Sequence, residues 1–298
     1  MTDRDWLAQR FEAERPRLRA VAYRMLGSTA EAEDAVQDAW LRLARSDAAA
    51  IDNLGAWLTT VVARLALDRL RSRKARPEDS LGNRLPDPVV SIPGGPEPEA
   101  QAVLADSIGF ALLVVLETLS PAERIAFVLH DTFGLPFDEI APIVERSPVA
   151  ARQLASRARR RVRGRSSAPG TSPARQRVLV DAFLKAAREG DFEALLRVLD
   201  PDVVVRADFG PDRPLGGFAA TGLHGAAEAA QGALAFRHVA AGARPVQVNG
   251  APGFVAYVGD RPFAVLAFTF RDDLIVEIDV IGDPKRLASL GLDTIAAG

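Results

Sequence analysis

The stretch that most constrains the fold lies at residues 135–165, where a short apolar segment runs into a strongly basic one. Apolar residues at helical spacing predict a short helix over residues 137–144. Ser147 is a good N-cap and Pro148 suits the first helical position, so a second helix should begin immediately afterwards. Two helices joined this closely predict a helix-turn-helix, whose second helix enters the major groove of DNA.

The second predicted helix is heavily cationic, because residues 146–165 contain eight arginines and no acidic residue. Such a run suits phosphate contacts and the release of counterions from DNA. For the arginines alone, the alternative is a solvated basic helix end that the helix dipole favours. The Ser-Pro start and the preceding short helix favour DNA binding, although Pro142 removes about one backbone hydrogen bond from that short helix.

The length of 298 residues allows two or three folded domains. The absence of cysteine excludes disulfides and thiolate metal sites, and the three histidines lie far apart, so we expect neither a metal nor a cofactor. The first residues are too highly charged for a signal peptide, and no apolar run is long enough to span a bilayer. We therefore expect a cytoplasmic protein with no membrane partner.

Three amphipathic helices are predicted in the N-terminal part of the chain, over residues 6–25, 28–44 and 56–74. Pro16 should kink or divide the first helix. A capping box of the form S-x-x-E opens the second, which carries acidic residues on its polar face. The third ends in a basic run, which favours a second nucleic-acid surface on the same chain.

Residues 77–98 contain six prolines and three glycines, which exclude regular structure and predict a linker. The sequence LPDP at residues 85–88 is a small apolar and acidic motif within it, by default a stiff spacer. An apolar helix is predicted over residues 99–117, and a second capping box at residues 120–123 opens the helix that leads into the helix-turn-helix.

Three segments, taken in order, resemble the two conserved regions of bacterial sigma-70 factors, and most closely those of the extracytoplasmic-function (ECF) group. They are EAEDAVQDAWLRL at residues 31–43, AWLTTVVARLALDRLRSRKA at 56–75, and LSPAERIAFVLHDTFGLPFDEIAPIVERSPVAARQLASRARRRV at 119–162. The resemblance implies sigma region 2 at residues 1–76 and sigma region 4 at residues 99–164, both all-α.

Core RNA polymerase and promoter DNA are the partners that this resemblance implies. The polymerase-binding residues would be Asp34, Gln37, Asp38 and Trp40. The residues holding the −10 element would be Asn53, Trp57, Arg64, Asp68, Arg71 and Arg73. The residues reading the −35 element would be Ser147, Val149, Arg152, Gln153, Ser156, Arg157 and Arg160.

A second linker is predicted at residues 165–173, and beyond it residues 174–298 have a different pattern, with helices followed by strands. The strands are expected over residues 203–207, 245–249, 253–258, 262–270 and 274–281. Helices on one face of a curved antiparallel sheet make an α+β cone. This order resembles the SnoaL-like fold, whose apolar pocket could take a small-molecule ligand.

Catalysis in this cone would require a titratable pair that converges on one pocket. His224 and His238 are interpreted as ordinary surface or capped residues. The fold hosts enzymes and non-enzymes alike, and the preferred interpretation is that this chain is not an enzyme.

Sigma factors with a SnoaL-like tail form a subgroup in which the tail modulates the sigma regions. The resemblance implies an interdomain regulatory contact formed by Leu85, Pro86, Asp87, Pro88, Asp208, Asp212 and Arg213. The preferred function is an ECF sigma factor that directs polymerase to −35/−10 promoters. The alternative is a ligand-sensing helix-turn-helix repressor that works without polymerase, and it would leave the acidic face of residues 31–38 without a purpose. A SnoaL-like enzyme with a DNA-binding leader ranks third.

Overall fold

The computed structural model describes residues 3–47, 51–75, 84–92, 109–163, 171–210 and 222–292. The chain forms two compact units. Unit 1 comprises residues 1–80, 99–108 and 112–165, and unit 2 comprises residues 81–98, 109–111 and 166–298. None of the helices in the described ranges is long and apolar enough to cross a membrane.

Three helices form the first part of unit 1: α1 (Asp3–Leu26), α2 (Thr29–Leu43) and α3 (Leu54–Ala75). A kink or division of the helix is expected at Pro16, and division is wrong, because α1 continues through it. Pro16 and the residue whose carbonyl it frees, Glu12, are both exposed, so water can satisfy that carbonyl. The Ser28 hydroxyl caps α2 by accepting the Glu31 N–H, as the capping-box pattern predicts.

Four further helices follow: α4 (Phe110–Glu117), α5 (Pro121–Phe127), α6 (Phe137–Val144) and α7 (Pro148–Arg163). A π-helical turn at Val128–Thr132 continues α5, where the sequence pattern predicted an ordinary helix. The predicted capping box of Ser120 and Glu123 is present with both of its hydrogen bonds. Residues 99–108 of the predicted helix over 99–117 lie outside the described ranges.

Unit 2 contains the helices α8 (Pro173–Glu189), α9 (Phe192–Val198), α10 (Ala226–Ala235), α11 (Arg237–Ala240) and α12 (Pro284–Ser289). Its strands are β1 (Val90–Ser91), β2 (Leu199–Asp208), β3 (Leu223–His224), β4 (Arg244–Val248), β5 (Ala251–Val258), β6 (Arg261–Arg271) and β7 (Leu274–Ile281).

The described strands form one sheet in the order β1-β4-β5-β6-β7-β2-β3, antiparallel except for the parallel pair of β2 and β7. Helices pack over the sheet around a cluster of aromatic rings. The Phe183 ring of α8 meets Phe268 with ring centroids 5.5 Å apart and Phe254 with centroids 6.5 Å apart. This is the α+β arrangement, with helices on an antiparallel sheet, that the strand and helix order predicts.

The expectation that the proline-rich linker contains no regular structure is wrong at β1. Val90 pairs with Val248 and Ser91 with Gln247, so this stretch adds a short edge strand to the sheet. The residues between Pro88 and Pro93 carry backbone N–H groups, and the prolines on either side favour an extended chain. A composition rule cannot reveal this pairing, because the partner strand lies more than 150 residues away.

Glu123 anchors the start of α5 and binds α7 to it. Its carboxylate accepts hydrogen bonds from Ser120 and lies 3.2 Å from Arg157 and 3.0 Å from Arg161. Burial would raise the pKa of Glu123, but the Ser120 hydrogen bonds and the two arginines lower it below its usual range.

Replacing this carboxylate, Glu123→Gln, should lower the free energy of unfolding by about 1–2 kcal/mol at neutral pH, because charge-assisted hydrogen bonds are lost. The stabilisation is present above the ordinary carboxylate pKa and disappears as pH falls through the lowered pKa, so the difference between the proteins should shrink in acid. Urea unfolding followed by circular dichroism measures both effects. Glu139→Gln, at an exposed position of α6, is the matched control.

Candidate nucleic-acid interface and linker clamp

The exposed face of α7 carries the side chains that the sequence analysis assigned to DNA. Every one of these α7 residues is exposed, and Val149 is 66% exposed although it is apolar. They are Val149, Arg152, Gln153, Ser156, Arg157 and Arg160. The opposite face of α7 is buried through Ala151, Leu154, Ala155, Ala158 and Val162. The helix therefore presents one exposed face, polar except for Val149.

The turn between α6 and α7 has the geometry of a helix-turn-helix. Glu145 adopts a left-handed conformation with φ 56°, which ends α6, and Ser147 accepts the Ala150 N–H at 3.3 Å to start α7. Ile140, Ile143 and Val144 are buried and hold α6 against α7. Pro142 lies inside α6 without interrupting it.

Several arginines of α7 are bound within the chain, which the charge pattern did not reveal. Arg159 bonds Asp131 at 2.6 Å, and this hydrogen bond raises the Arg159 pKa. Arg157 and Arg161 share Glu123, and the Arg152 guanidinium lies 5.4 Å above the Phe137 ring. The acidic partners come from α5 and the π-helical turn, so only the fold brings them to α7.

The six residues assigned to the −10 element have different surroundings. Arg64, Asp68 and Arg71 are exposed on α3, and Trp57 is partly buried. Asn53 caps α3 by accepting the Ala56 N–H at 3.1 Å. Arg73 points back into the bundle, where it donates to the Leu26 carbonyl at 3.0 Å and pairs with Glu31.

The two helical parts of unit 1 pack against each other. Arg71 of α3 pairs with Glu145 at 3.0 Å, so one of the predicted DNA-binding residues is engaged by the helix-turn-helix. Arg124 of α5 is 2% exposed and pairs with Glu117 at 2.8 Å beside the Arg24 carbonyl. Arg24 in turn lies 4.8 Å above the Phe133 ring. The contact is therefore polar as well as apolar.

The acidic helix α2 presents part of its predicted polymerase-binding face. Asp34 and Gln37 are exposed, Asp38 pairs with Arg69 at 2.8 Å, and the Trp40 ring packs on Phe11 with centroids 5.1 Å apart. Gln37 and Trp40 also line a groove of about 250 Å³ between α1 and α2.

A second site forms in unit 2, where one guanidinium holds the linker, and we name it the linker clamp. Arg286 donates to Asp87 at 2.7 Å, to Asp208 at 2.5 Å and to the Leu85 carbonyl at 2.7 Å. Asp208 also accepts the Leu85 N–H at 3.1 Å. The clamp thus comprises Leu85, Asp87, Asp208 and Arg286.

The clamp brings together Leu85, Asp87 and Asp208 from the predicted regulatory set, with Pro86 and Pro88 buried beside them. Asp212 and Arg213 lie outside the described residues. The sequence did not predict that Arg286 belongs to this site, because the only local signal near it is the N-cap of α12. The sequence also did not predict a second contact of the linker, in which Val89 exchanges two hydrogen bonds with Asn249, at 3.0 and 2.8 Å.

The cone of unit 2 contains a partly open cavity of about 100 Å³, whose described lining is almost entirely apolar. Val205 and Ala207 of β2 and Ile278 and Val280 of β7 face it. Because side chains alternate along a strand, the charged residues between them point to the other face of the sheet. Those residues form an ion-pair cluster of Arg206, Glu277 and Asp279.

This ion-pair cluster is bound internally. Arg206 meets Asp279 at 2.6 Å and Glu277 at 2.9 Å. Burial raises the pKa of Asp279, whereas the two carboxylates raise the pKa of Arg206 against the effect of its burial. His224 and His238 are exposed, so the described residues bring no titratable pair together at the cavity.

Comparison with known proteins is consistent with this geometry. Residues 10–76 match Sigma-70 region 2, and residues 109–162 match Sigma-70, region 4. Over 296 residues the chain is 35% identical to the probable ECF RNA polymerase sigma factor SigI of Mycobacterium tuberculosis, covering 97% of this chain and 98% of that one. The chain belongs to the ECF sigma factors of the sigma-70 family.

A second ECF relative, SigJ of the same organism, is 46% identical over 200 residues, or 66% of this chain. That match spans 64% of SigJ, a little under two thirds of its length. The crystal structure of SigJ matches this sigma factor over 96% of the chain and 99% of its own, with a TM-score of 0.77 and 34% identity. In family terms, α1–α3 form region 2, and α4–α7 correspond to region 4.

If Arg286 holds the linker, Arg286→Gln should accelerate hydrogen exchange in residues 84–92 of the full-length sigma factor by at least tenfold. Three bonds to a charged guanidinium are lost, and two carboxylates are left without their cation. Hydrogen exchange with mass spectrometry measures the rate. Arg271→Gln, at the exposed end of β6, is the control and should leave exchange in the linker unchanged.

Proposed function

We propose that this chain is a sigma factor that recruits core RNA polymerase to −35/−10 promoters and whose unit 2 regulates initiation through the linker clamp. One observation carries the regulatory part: the linker between the two sigma regions is bound at Leu85, Asp87 and Val89 by C-terminal residues of unit 2. A domain that holds this linker acts on both regions at once.

Reading of the −35 element is assigned to the exposed face of α7. Arg152 and Gln153 lie at its N-terminal end, the part of a recognition helix that contacts base edges. An arginine can bind a guanine with two hydrogen bonds, and Val149 offers an apolar contact for a thymine methyl group. Ser156, Arg157 and Arg160 lie further along, suited to phosphate contacts that set the register.

Reading of the −10 element is assigned to α3, and it requires unit 1 to open. The two elements lie about 25 base pairs apart, or roughly 85 Å on B-DNA. A compact unit of roughly 140 residues has a radius of gyration of only about 14 Å. Regions 2 and 4 must therefore separate, and the Arg71–Glu145 pair must break before Arg71 reaches phosphate.

The clamp would control this separation through the length of free linker. An extended chain covers about 3.3–3.6 Å per residue. Holding residues 84–92 in place therefore shortens the free linker by about 30 Å. The prolines of this linker keep it extended once it is released. We infer that the clamped state restrains promoter binding and that release of Arg286 favours it.

Polymerase binding is assigned to α2, through Asp34, Gln37, Asp38 and Trp40. The groove beside Gln37 and Trp40 could receive a polymerase helix, with the charged side chains of Glu12 and Arg15 along the groove. A catalytic role for unit 2 has less support, because the described lining of its cavity contains no titratable side chain.

Arg152→Ala should weaken binding to a −35 duplex by about 1–3 kcal/mol and relax the preference at one base pair, because the truncated side chain cannot read a guanine. Fluorescence anisotropy with a panel of single-base variants of the duplex measures both effects. Arg197→Ala, exposed in unit 2, should bind like the parent protein. Unchanged affinity and base preference for Arg152→Ala would remove this residue from the interface.

Run-off transcription with core RNA polymerase tests the whole proposal, using the promoter of the chain's own gene. The full chain, a chain cut after Gly170 and Arg286→Gln are compared. Start-site-specific transcripts establish the sigma activity, and Arg286→Gln should produce several-fold more transcript than the parent protein. Equal transcript from all three would refute regulation by unit 2. Tight binding to duplex DNA with no transcript from any of them would favour a repressor.

A further inference from the structure

The cavity in unit 2 has the size and lining of a binding site for a small hydrocarbon. Its volume is about 100 Å³, and an engineered apolar cavity of about 150 Å³ in another protein binds benzene or xenon. We propose that the cavity is a receptor site for a small apolar molecule, of the size of a single aromatic ring, and that its occupancy tightens the linker clamp.

The chemistry of the lining selects this class of molecule. The rings of Phe209, Phe236 and Phe263 meet at one side of the cavity, with Phe263 centroids 6.1 Å from Phe209 and 6.2 Å from Phe236. Such rings accept another aromatic ring in edge-to-face or offset contact. The described lining has no charged or hydroxyl side chain, so a polar ligand would lose its hydration without gaining hydrogen bonds.

The C-terminal end of strand β2 connects the cavity to the clamp. Ala207 and Phe209 face the cavity, while Asp208 between them points the other way and holds both the Leu85 N–H and Arg286. The end of β2 therefore contributes residues both to the cavity and to the linker clamp. A backbone movement that takes Phe209 away from the cavity also displaces Asp208, because the two residues share a peptide bond.

Gly282 packs closely against the C-terminal end of β2. Its N–H donates to the Asp208 carbonyl at 2.7 Å, and the Phe209 ring lies so close to it that a Cβ there would overlap the ring. The end of β2 is thus held between the cavity on one side and the segment that leads to Arg286 on the other.

Occupancy stabilises the clamp through linkage. A bound molecule contacts Phe209 while the end of β2 stays in place, so opening of that end costs the contacts of the ligand as well as the hydrogen bonds of Asp208 to the linker and Arg286. A ligand at ten times its Kd then reduces the population of the opened state by up to about elevenfold. The proposed effect of the ligand on the linker depends only on the position of the end of β2. Any effect on transcription also rests on the proposed function.

Benzene is the probe for this test, with the full-length protein. We expect saturable binding by calorimetry, and exchange of the Leu85 amide, followed by NMR, slowed at least threefold at saturation. The Ala151 amide of α7, which donates to the Ser147 carbonyl, should be unaffected. The readouts are binding and exchange, so they do not depend on whether the protein initiates transcription.

Cavity-filling variants identify the site. Ala233 lines the cavity from α10, and Ala233→Leu should abolish benzene binding; Ala227→Leu, at an exposed position of the same helix, should leave it intact. Ala256→Leu, from β5, fills the same space if the first variant does not fold. Gly282→Ala should displace Phe209 and accelerate Leu85 exchange with no ligand present.

Three results would overturn the proposal. The first is the absence of saturable benzene binding by the parent protein. The second is equal binding by a folded cavity-filling variant, which would place the molecule elsewhere. The third is binding to the cavity with no change in Leu85 exchange, which would show that the strand end does not transmit occupancy to the clamp.

Discussion

A single guanidinium organises how the linker meets the C-terminal unit. Arg286 donates to two carboxylates and to one backbone carbonyl, and these acceptors come from the linker and from β2. A planar fork with several donors can hold such divergent partners at once, whereas a lysine ammonium acts as a compact point charge. Around this fork the linker backbone becomes extended, pairs with Asn249 and ends in the edge strand β1.

The sheet has two different faces beside the linker clamp, because side chains alternate along β2 and β7. One face of β2 and β7 is apolar and borders the cavity, and the other carries the cluster of Arg206, Glu277 and Asp279. Burying these charges together is tolerable because each finds a partner. The described lining of the cavity has no acid or base, and such a surface suits contact with apolar groups.

In unit 1, charged residues that resemble DNA-binding groups also hold the protein together. Arg73 binds inside region 2, Arg71 binds Glu145 across the two regions, and Arg157 and Arg161 share Glu123. Exposed pairs such as that of Arg71 are weak individually, typically up to about 1 kcal/mol, so breaking this pair costs little. Under the proposed function, DNA would compete with such weak pairs for the same arginines.

The sequence by itself determined the helix-turn-helix, the N-cap of α2 and the capping box of α5, because these depend on local spacing and on periodicity. Its resemblance to known sigma factors indicated the family. It also predicted that Leu85–Asp87 and Asp208 act together, through resemblance. Only the tertiary structure decided that Pro16 leaves α1 intact, that the linker contributes β1, that Arg286 joins Asp87 to Asp208, and that Arg71 meets Glu145. Each of these depends on partners tens to hundreds of residues apart or on whether a freed carbonyl reaches water, and no local pattern encodes either.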